Sequence, residues 1–396
     1  MAPRHLHLSR RQIMRGILST TAFAITSKLA GCGAAKETAS TPASPNTAPS
    51  PGSDLVIGFI YVGPKDDFGY SQAHAEGAAG IAKLPGVKIV EQANVPETTE
   101  VQEAMRSMIE QDGAKVIFPT SFGYFDPHVL KMAKEFPEVQ FLHAGGLYQP
   151  GVHPKNVGSY FGYIDEAQYI AGIVAAKTAK TGKLGFIAAK PIPQVLRNIN
   201  SFTLGARSVN PKATTQVVFT GDWSEPVKEA ESANSMADQG IEVITCHVDS
   251  PKVIMETAEK RGIFCSGYHS SQASLAPKGY LTGAEWDWTS VYTDYVNLIQ
   301  SGKTLMNDGI PHLIRGGFKE NFIKLSPYGP AVSATTQKEG DATKAKFMTG
   351  NMVIYQGQIK DNQGKSIIAS GKAYKQQDIS LEKMDWLVDG VIGSTS

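Results

Sequence analysis

With 396 residues, three cysteines and 41% hydrophobic residues, the chain exceeds one ordinary domain, lacks the cysteines of a disulfide scaffold and is too polar for a multispanning membrane protein. Its formal net charge of +1 belongs to the N-terminus. Residues 1–32 hold Arg4, Arg10, Arg11, Arg15, Lys28 and no acidic residue, so the remainder carries about −4, which argues against nucleic acid as a partner.

Ser9-Arg10-Arg11-Gln12-Ile13-Met14 precedes an apolar run, Ile17 to Ile25, that is too short and too polar to span a bilayer. Leu29-Ala30-Gly31-Cys32 follows. Residues 1–32 are therefore expected to be a twin-arginine-like lipoprotein signal peptide, cut before Cys32, which would carry the lipid. That predicts an extracytoplasmic protein, on the periplasmic side, lipid-anchored to a membrane. Nothing in the rest of the chain demands a cofactor inserted before export, so the export route stays open. Residues 33–53, rich in Pro, Ser, Thr and Ala, read as a flexible linker.

From Leu55 onward apolar strand-like runs alternate with amphipathic segments. Strands are expected at Leu55–Tyr61, Lys88–Ala93, Val116–Pro119, Gln140–Ala144 and Val157–Tyr160, with helices at Tyr70–Leu84, Thr99–Asp112 and Pro127–Phe136. A helix over Glu166–Ala179 opens a second series. Its strands are Leu184–Ala188, Thr214–Phe219, Val243–Cys246 and Ile263–Cys265, and its helices Gln194–Ser208, Glu225–Gln239 and Pro251–Lys260. Tyr280–Ala284 and a helix from Trp288 to Gln300 complete it. This is an α/β chain with parallel sheets covered by helices, in two open units. Residues 54–162 plus 286–314 are expected to form lobe 1, and 163–285 plus 315–332 lobe 2. Residues 333–396 are expected to be an appendage with a hairpin turning at Asp361–Gly364. Cys246 and Cys265 each end an apolar run. An oxidising envelope permits a bond between them, but folding before export leaves them as buried thiols, the preferred reading. No Cys/His set has metal spacing, so no metal and no cofactor are expected.

Open α/β units bind ligands at the carboxyl ends of their strands, so the loops there carry the chemistry. They contain Asp67-Phe68-Gly69-Tyr70, Ser121-Phe122-Gly123, Gly221-Asp222-Trp223, His247-Val248-Asp249 and Glu285-Trp286-Asp287-Trp288. Rings with few carboxylates suit a flat heterocycle, stacked between aromatics and hydrogen-bonded by an Asp. A sugar would want more carboxylates and amides, and an inorganic anion would want Arg or helix-terminal amides.

Gly58-Phe-Ile-Tyr-Val-Gly-Pro64, Asp67-Phe-Gly-Tyr70, Thr120-Ser-Phe-Gly-Tyr-Phe-Asp-Pro127, Asn200-Ser-Phe-Thr-Leu-Gly-Ala-Arg-Ser-Val-Asn-Pro211 and His247-Val-Asp-Ser-Pro251 together resemble the basic membrane protein family of substrate-binding lipoproteins for ABC importers. The resemblance implies a type I periplasmic-binding-protein fold, two Rossmann-like lobes joined by a multi-strand hinge. It also implies a purine ligand, an ABC permease as membrane partner and a monomer. Nucleoside-binding members typically carry Phe-Asn-Asp in the first loop and a late lysine that holds the ribose. Here Asp67-Phe68-Gly69-Tyr70 stands in that loop, and Gly283–Tyr292 contains Trp286 and Trp288 but no lysine. That favours the nucleobase-type branch and an adenine-like base, with a purine nucleoside as the alternative.

The expected ligand-binding residues are Asp67, Phe68, Tyr70, Ser121, Phe122, Gly123, Trp223, His247, Asp249 and Trp288. Competing roles are plain for several: Asp67 and Asp249 as helix caps, Ser121 and Gly123 as turn residues, His247 as a satisfied strand end, and the rings as packing. His247 and Asp249, two apart on an extended segment, would also serve an acid–base pair in a nucleosidase. No nucleophile motif or phosphate loop accompanies them, so no enzyme is expected. A ligand-sensing receptor would use the same closing lobes.

Overall fold

The computed structural model describes residues 54–395; the leader, Cys32 and the linker lie outside the described residues. β1 (Leu55–Ile60) is apolar throughout and its last four residues are buried, as a parallel strand covered on both faces requires. α1 (Tyr70–Ile81), β2 (Val87–Gln92), α2 (Glu100–Glu110), β3 (Val116–Pro119), α3 (Leu130–Glu135), β4 (Gln140–Ala144) and β5 (Val157–Gly162) continue the alternation. The second series runs α4 (Asp165–Thr178), β6 (Lys183–Ala188), α5 (Pro193–Val209), β7 (Thr214–Phe219), α6 (Pro226–Asp238), β8 (Val243–His247), α7 (Lys252–Arg261), β9 (Phe264–His269) and β10 (Tyr280–Trp286). Then follow α8 (Trp288–Gln300), β11 (Leu313–Gly316), β12 (Ile323–Leu325) and α9 (Ala334–Met348). Short strands β13 (Tyr355–Gln356), β14 (Ile359–Lys360), β15 (Ser366–Ile368), β16 (Ala373–Tyr374) and β17 (Val391–Ile392) end the chain.

The first sheet has the order β2-β1-β3-β4-β5-β11, parallel throughout. The second has the order β17-β7-β6-β8-β9-β10-β12, parallel except where β12 runs against β10. In each sheet the strand order reverses beside the first strand, β1 or β6, the switch point at which doubly wound sheets open a crevice. The chain changes sheet three times: between β5 and α4, between β10 and α8, and between β11 and β12. α8 lies on α1 of the first unit, where added Cβ atoms at Gly77 and Gly80 would meet Trp288, Tyr292 and Thr289 at 2.5–2.9 Å.

Two differences concern the C-terminal segment. The patterning predicts irregular chain after Lys338, whereas α9 forms a full helix, capped by Ser333 Oγ accepting from Thr336 N at 3.2 Å. Its buried positions are Thr336, Gly340, Thr343 and Phe347, a helical repeat built mostly from small or polar residues and therefore weak as an apolar signal. The predicted turn at Asp361–Gly364 does join β14 to β15, with Asp361 Oδ1 accepting from Gln363 N and Lys365 N. The segment is nonetheless integral to the second unit, because β17 extends its sheet beside β7.

Beneath the second sheet α4 and α5 cross at backbone contact. A Cβ on Gly172 would lie 2.0 Å from the Phe202 carbonyl oxygen, and one on Gly205 1.9 Å from that of Tyr169. The start of α4 is polar and buried at the first crossing. Asp165 pairs with Arg197 Nε at 3.0 Å, and Gln376 Nε2 donates to both Asp165 and Glu166. Phe318 N, on the third crossing, donates to Glu166 Oε2 at 3.0 Å.

Burial, with a smaller push from the Asp165 charge, raises the Glu166 carboxyl to about 7, although the Phe318 amide favours its charged form. Folded Glu166 thus holds its proton more tightly than the unfolded residue does at 4.5. Its contribution favours folding below that lower value and is lost as pH rises through about 7. Between pH 5 and 8 the thermal midpoint of the wild type should fall relative to that of Glu166→Gln; parallel midpoint curves would refute this titration.

Candidate functional site

The carboxyl ends of both sheets converge on a small chamber of about 30 Å³. The first unit supplies Tyr70 at the start of α1, Ser121 and Phe122 after β3, Ala144 from β4 and Phe161 from β5. The second supplies Gln194 from the first turn of α5, Trp223 after β7, His247 and Asp249 at the end of β8, Tyr268 and His269 from β9, and Trp286 from β10. Trp223 is held from outside by Lys190, whose Nζ lies 5.2 Å from the ring centroid and pairs with Asp222 at 2.8 Å.

Asp249 is the chamber's carboxyl group. Its backbone is fully engaged, N donating to Trp223 O and O accepting from Tyr70 N, each at 2.8 Å. Its side chain lines the chamber and, among the described residues, has no hydrogen-bond or ion-pair partner. Desolvation, with the Asp67 and Glu97 charges added, pushes its pKa well above the usual carboxylate range. The polar neighbours are neutral. Burial lowers His247 to about 3, and Asn198 Nδ2 donates to its Nδ1 at 2.9 Å, which leaves the ring proton on Nε2. Burial likewise lowers His269, whose Nδ1 accepts from Trp286 Nε1 at 2.8 Å. The arrangement can grip a flat molecule between rings and take an N–H from it. It has no activated nucleophile, and among the described residues no group of His, Cys, Asp and Glu is placed to hold a metal.

Sequence comparison agrees with this architecture. The profile of the Bmp family, PnrA-like substrate-binding proteins of ABC transporters, matches residues 55–358. The chain belongs to the Bmp family. A purine-binding protein of Brucella abortus is 36% identical over 85% of this chain and 93% of its own length. A putative ABC transporter glucose-binding protein of Haloferax volcanii is 28% identical over 87% of this chain and 82% of its own. A solved ABC transporter solute-binding protein from Conexibacter woesei superposes with a TM-score of 0.62 at 21% identity, covering 75% of this chain and 97% of that one. The chain is thus a substrate-binding protein of an ABC transporter and not an enzyme, and its partners are a small-molecule ligand and a membrane permease. Such proteins act outside the cytoplasm; among the described residues no helix is long and apolar enough to cross a membrane.

In this Bmp protein the chamber gathers Tyr70, Ser121, Phe122, Trp223, His247 and Asp249 of the ten residues expected at the site. The other four lie elsewhere. Asp67 caps α1, accepting from Gly69 N, Ser71 N and Gln72 N at 2.8–2.9 Å. Phe68 sits on the seam between the lobes with Lys252 Nζ 5.4 Å from its ring. Gly123 lines the neighbouring outer cleft and donates its N–H to Glu97 Oε1 at 2.7 Å. Trp288, expected as a stacking residue, is buried one layer behind the chamber wall. It stacks on Trp286 at 4.6 Å and on His74 at 5.0 Å.

Phe161, Gln194, Tyr268, His269 and Trp286 line the chamber without having been expected there. Ending the predicted strands at Tyr160 and Cys265 hides three of them, because β5 and β9 run on to Gly162 and His269. Trp286 closes β10 and faces the chamber, while Trp288, on the first turn of α8, turns into the first unit.

The outer cleft, about 470 Å³, adjoins the chamber and shares Phe122, Phe161, Gln194, His247 and Tyr268 with it. Phe122, 46% exposed, stands at the junction. On the opposite side the lobes are sealed. Tyr70 N donates to Asp249 O at 2.8 Å, Ser250 Oγ to Asp67 O at 2.7 Å and Gln272 Nε2 to Phe68 O at 2.6 Å. Gly69 makes this contact possible, since a Cβ there would lie 1.9 Å from Asp249 O and 2.6 Å from Pro251 Cδ. Gly69→Ala should therefore resist closure. Ligand affinity should fall at least tenfold in calorimetry, with the ligand-free melting midpoint little changed; wild-type affinity would show that the seam does not govern closure.

Proposed function

We propose that this Bmp protein is the lipid-anchored receptor of a purine importer and that it holds an adenine-like base between the lobes, where the chamber opens into the outer cleft. The observation that carries the reading is the Asp249 carboxyl, without a partner among the described residues, facing a chamber walled by Tyr70, Phe122, Phe161, Trp223, Tyr268 and Trp286. A desolvated carboxyl without a partner is costly, and an N–H donor from a ligand restores its charged form. The rings match the π-faces of a base. The Brucella relative, described as purine-binding over nearly the whole length compared, supports the same class. A sugar, which the name of the Haloferax relative suggests for that protein, is a poorer fit to one carboxyl among six aromatic side chains.

A second reading, a purine nucleoside, draws on the outer cleft, which offers room beside the chamber for a ribose. Mass spectrometry of the small molecule released on denaturing purified protein separates these cases. A free purine is the expected result, a nucleoside selects the second reading, and a sugar overturns both. In calorimetry Asp249→Asn should weaken adenine binding by about 1.5–3 kcal/mol, the range for a hydrogen bond to a charged group. An unchanged affinity would remove Asp249 from the site.

The leader completes the proposal. Cys32, behind Leu29-Ala30-Gly31, takes the lipid, and residues 33–53 tether the receptor near its permease. Cys32→Ser should move the protein from the membrane fraction to the soluble one on fractionation. Retention in the membrane fraction would contradict the anchor.

A further inference from the structure

We propose that His269 is a ligand-contacting residue that determines specificity, its Nε2–H donating to a ring nitrogen of the bound base in a tautomer fixed by Trp286. The inference rests on the purine reading and extends it to the pattern of donors and acceptors that the ligand must present.

Trp286 and His269 form a polar pair within the chamber wall. An indole N–H can only donate, so the 2.8 Å contact from Trp286 Nε1 makes His269 Nδ1 an acceptor. A neutral imidazole that accepts at Nδ1 carries its proton at Nε2. His269 is neutral because burial, with the His247 and His74 rings adding to it, depresses its pKa well below 6.5. Only the Val248 carbonyl nearby favours the charged form. Nε2 is buried and, among the described residues, has no hydrogen-bond partner of normal geometry; the residue is 2% exposed and lines the chamber.

The ring is also held against rotation. Tyr268 lies 3.9 Å from it between centroids, and Tyr70 meets it edge-on at 5.1 Å. The backbone adopts φ +72°, a left-handed conformation unusual for a residue other than glycine. A buried donor is thus held with its proton position fixed; the Val248 carbonyl bears on the ring, but Nε2 makes no hydrogen bond of normal geometry with it.

Asp249 supplies the complementary half. The chamber offers a free carboxylate-type acceptor on one residue and a fixed N–H donor on another, both at the carboxyl ends of neighbouring strands. The matching ligand is a heteroaromatic base with an N–H or amine directed to Asp249 and an unprotonated ring nitrogen directed to His269. Adenine has that pattern, with ring acceptors at N1, N3 and N7 beside its amine and N9–H donors. Replacing the contacted nitrogen by C–H keeps the shape and the stacking but removes the acceptor, leaving a buried donor unpaired.

The test compares adenine with 1-deaza-, 3-deaza- and 7-deazaadenine by calorimetry, using the mature chain in wild-type, His269→Phe and Trp286→Phe forms. In the wild type one deaza analogue should bind at least tenfold more weakly than adenine. In His269→Phe adenine should weaken to the affinity of that analogue, erasing the difference. Trp286→Phe keeps a ring in place but frees the tautomer, so discrimination should shrink. 15N NMR of the wild type should show the His269 proton on Nε2 and, in Trp286→Phe, a mixture of tautomers. These spectra and the wild-type analogue series carry the test if His269→Phe does not fold.

Equal binding of all three analogues, full discrimination retained in His269→Phe, or a proton on Nδ1 would each overturn the assignment while leaving purine binding standing. Failure of the wild type to bind any purine would overturn the assignment together with the reading on which it rests.

Discussion

The structure turns on one residue used twice. The Asp249 backbone ties Trp223 on its own lobe to Tyr70 on the other, while its carboxyl is left facing the chamber with nothing to bond. A neutral hydrogen bond contributes about 1 kcal/mol net, and the half-buried Asp249 carboxyl bears part of the roughly 1–3 kcal/mol that a fully buried unmet polar group costs. The free protein bears that cost at the point where the lobes meet. A ligand donor that meets it removes a penalty as well as adding a contact, so ligand recognition and lobe closure draw on the same residue.

Rigidity behind the wall makes this possible. Trp286, Trp288 and His74 stack in succession, and Tyr292 bonds to Tyr160 behind them at 2.9 Å. α8 brings Trp288 and Tyr292 against Gly77 of α1, where no larger residue fits without displacement. Aromatic residues in this chain thus have two separate duties. One set, Tyr70, Phe122, Phe161, Trp223, Tyr268 and Trp286, meets the cavity; the other locks the elements that carry it. Two-angle aromatic side chains lose little entropy when fixed, which suits a site whose geometry must survive repeated opening.

Most of the fold is legible in the residues because parallel strands buried on both faces leave uninterrupted apolar runs, as in Leu55–Ile60 and Leu184–Ala188. What escapes has equally physical causes. α9 buries Thr336, Gly340 and Thr343, so its inward face carries no hydrophobic signal. β11 and β12, four and three residues long, are too short to show a period. At the site, sequence identifies the loops but not which of two aromatics two residues apart faces the cavity. Trp286 and Trp288 are equivalent by composition and are separated only by the break between β10 and α8. Asp67 and Asp249 are likewise both loop carboxylates ahead of helices. Three backbone amides satisfy Asp67, while the Asp249 side chain has none, and only the folded geometry reveals that difference.

On the proposed reading, the energetics of closure follow from how the chamber is divided. The seam at Gly69 joins the lobes through three hydrogen bonds, each contributing about 1 kcal/mol net. Five chamber residues come from the first lobe and seven from the second, so a bound base touches both and stabilises only the state in which both reach it. A ligand shifts an equilibrium by its differential affinity for the two states and by no more. Placing the Asp249 carboxyl beside the seam concentrates that differential where closure occurs. A permease that recognises the joined surface of the two lobes would then read occupancy without touching the ligand.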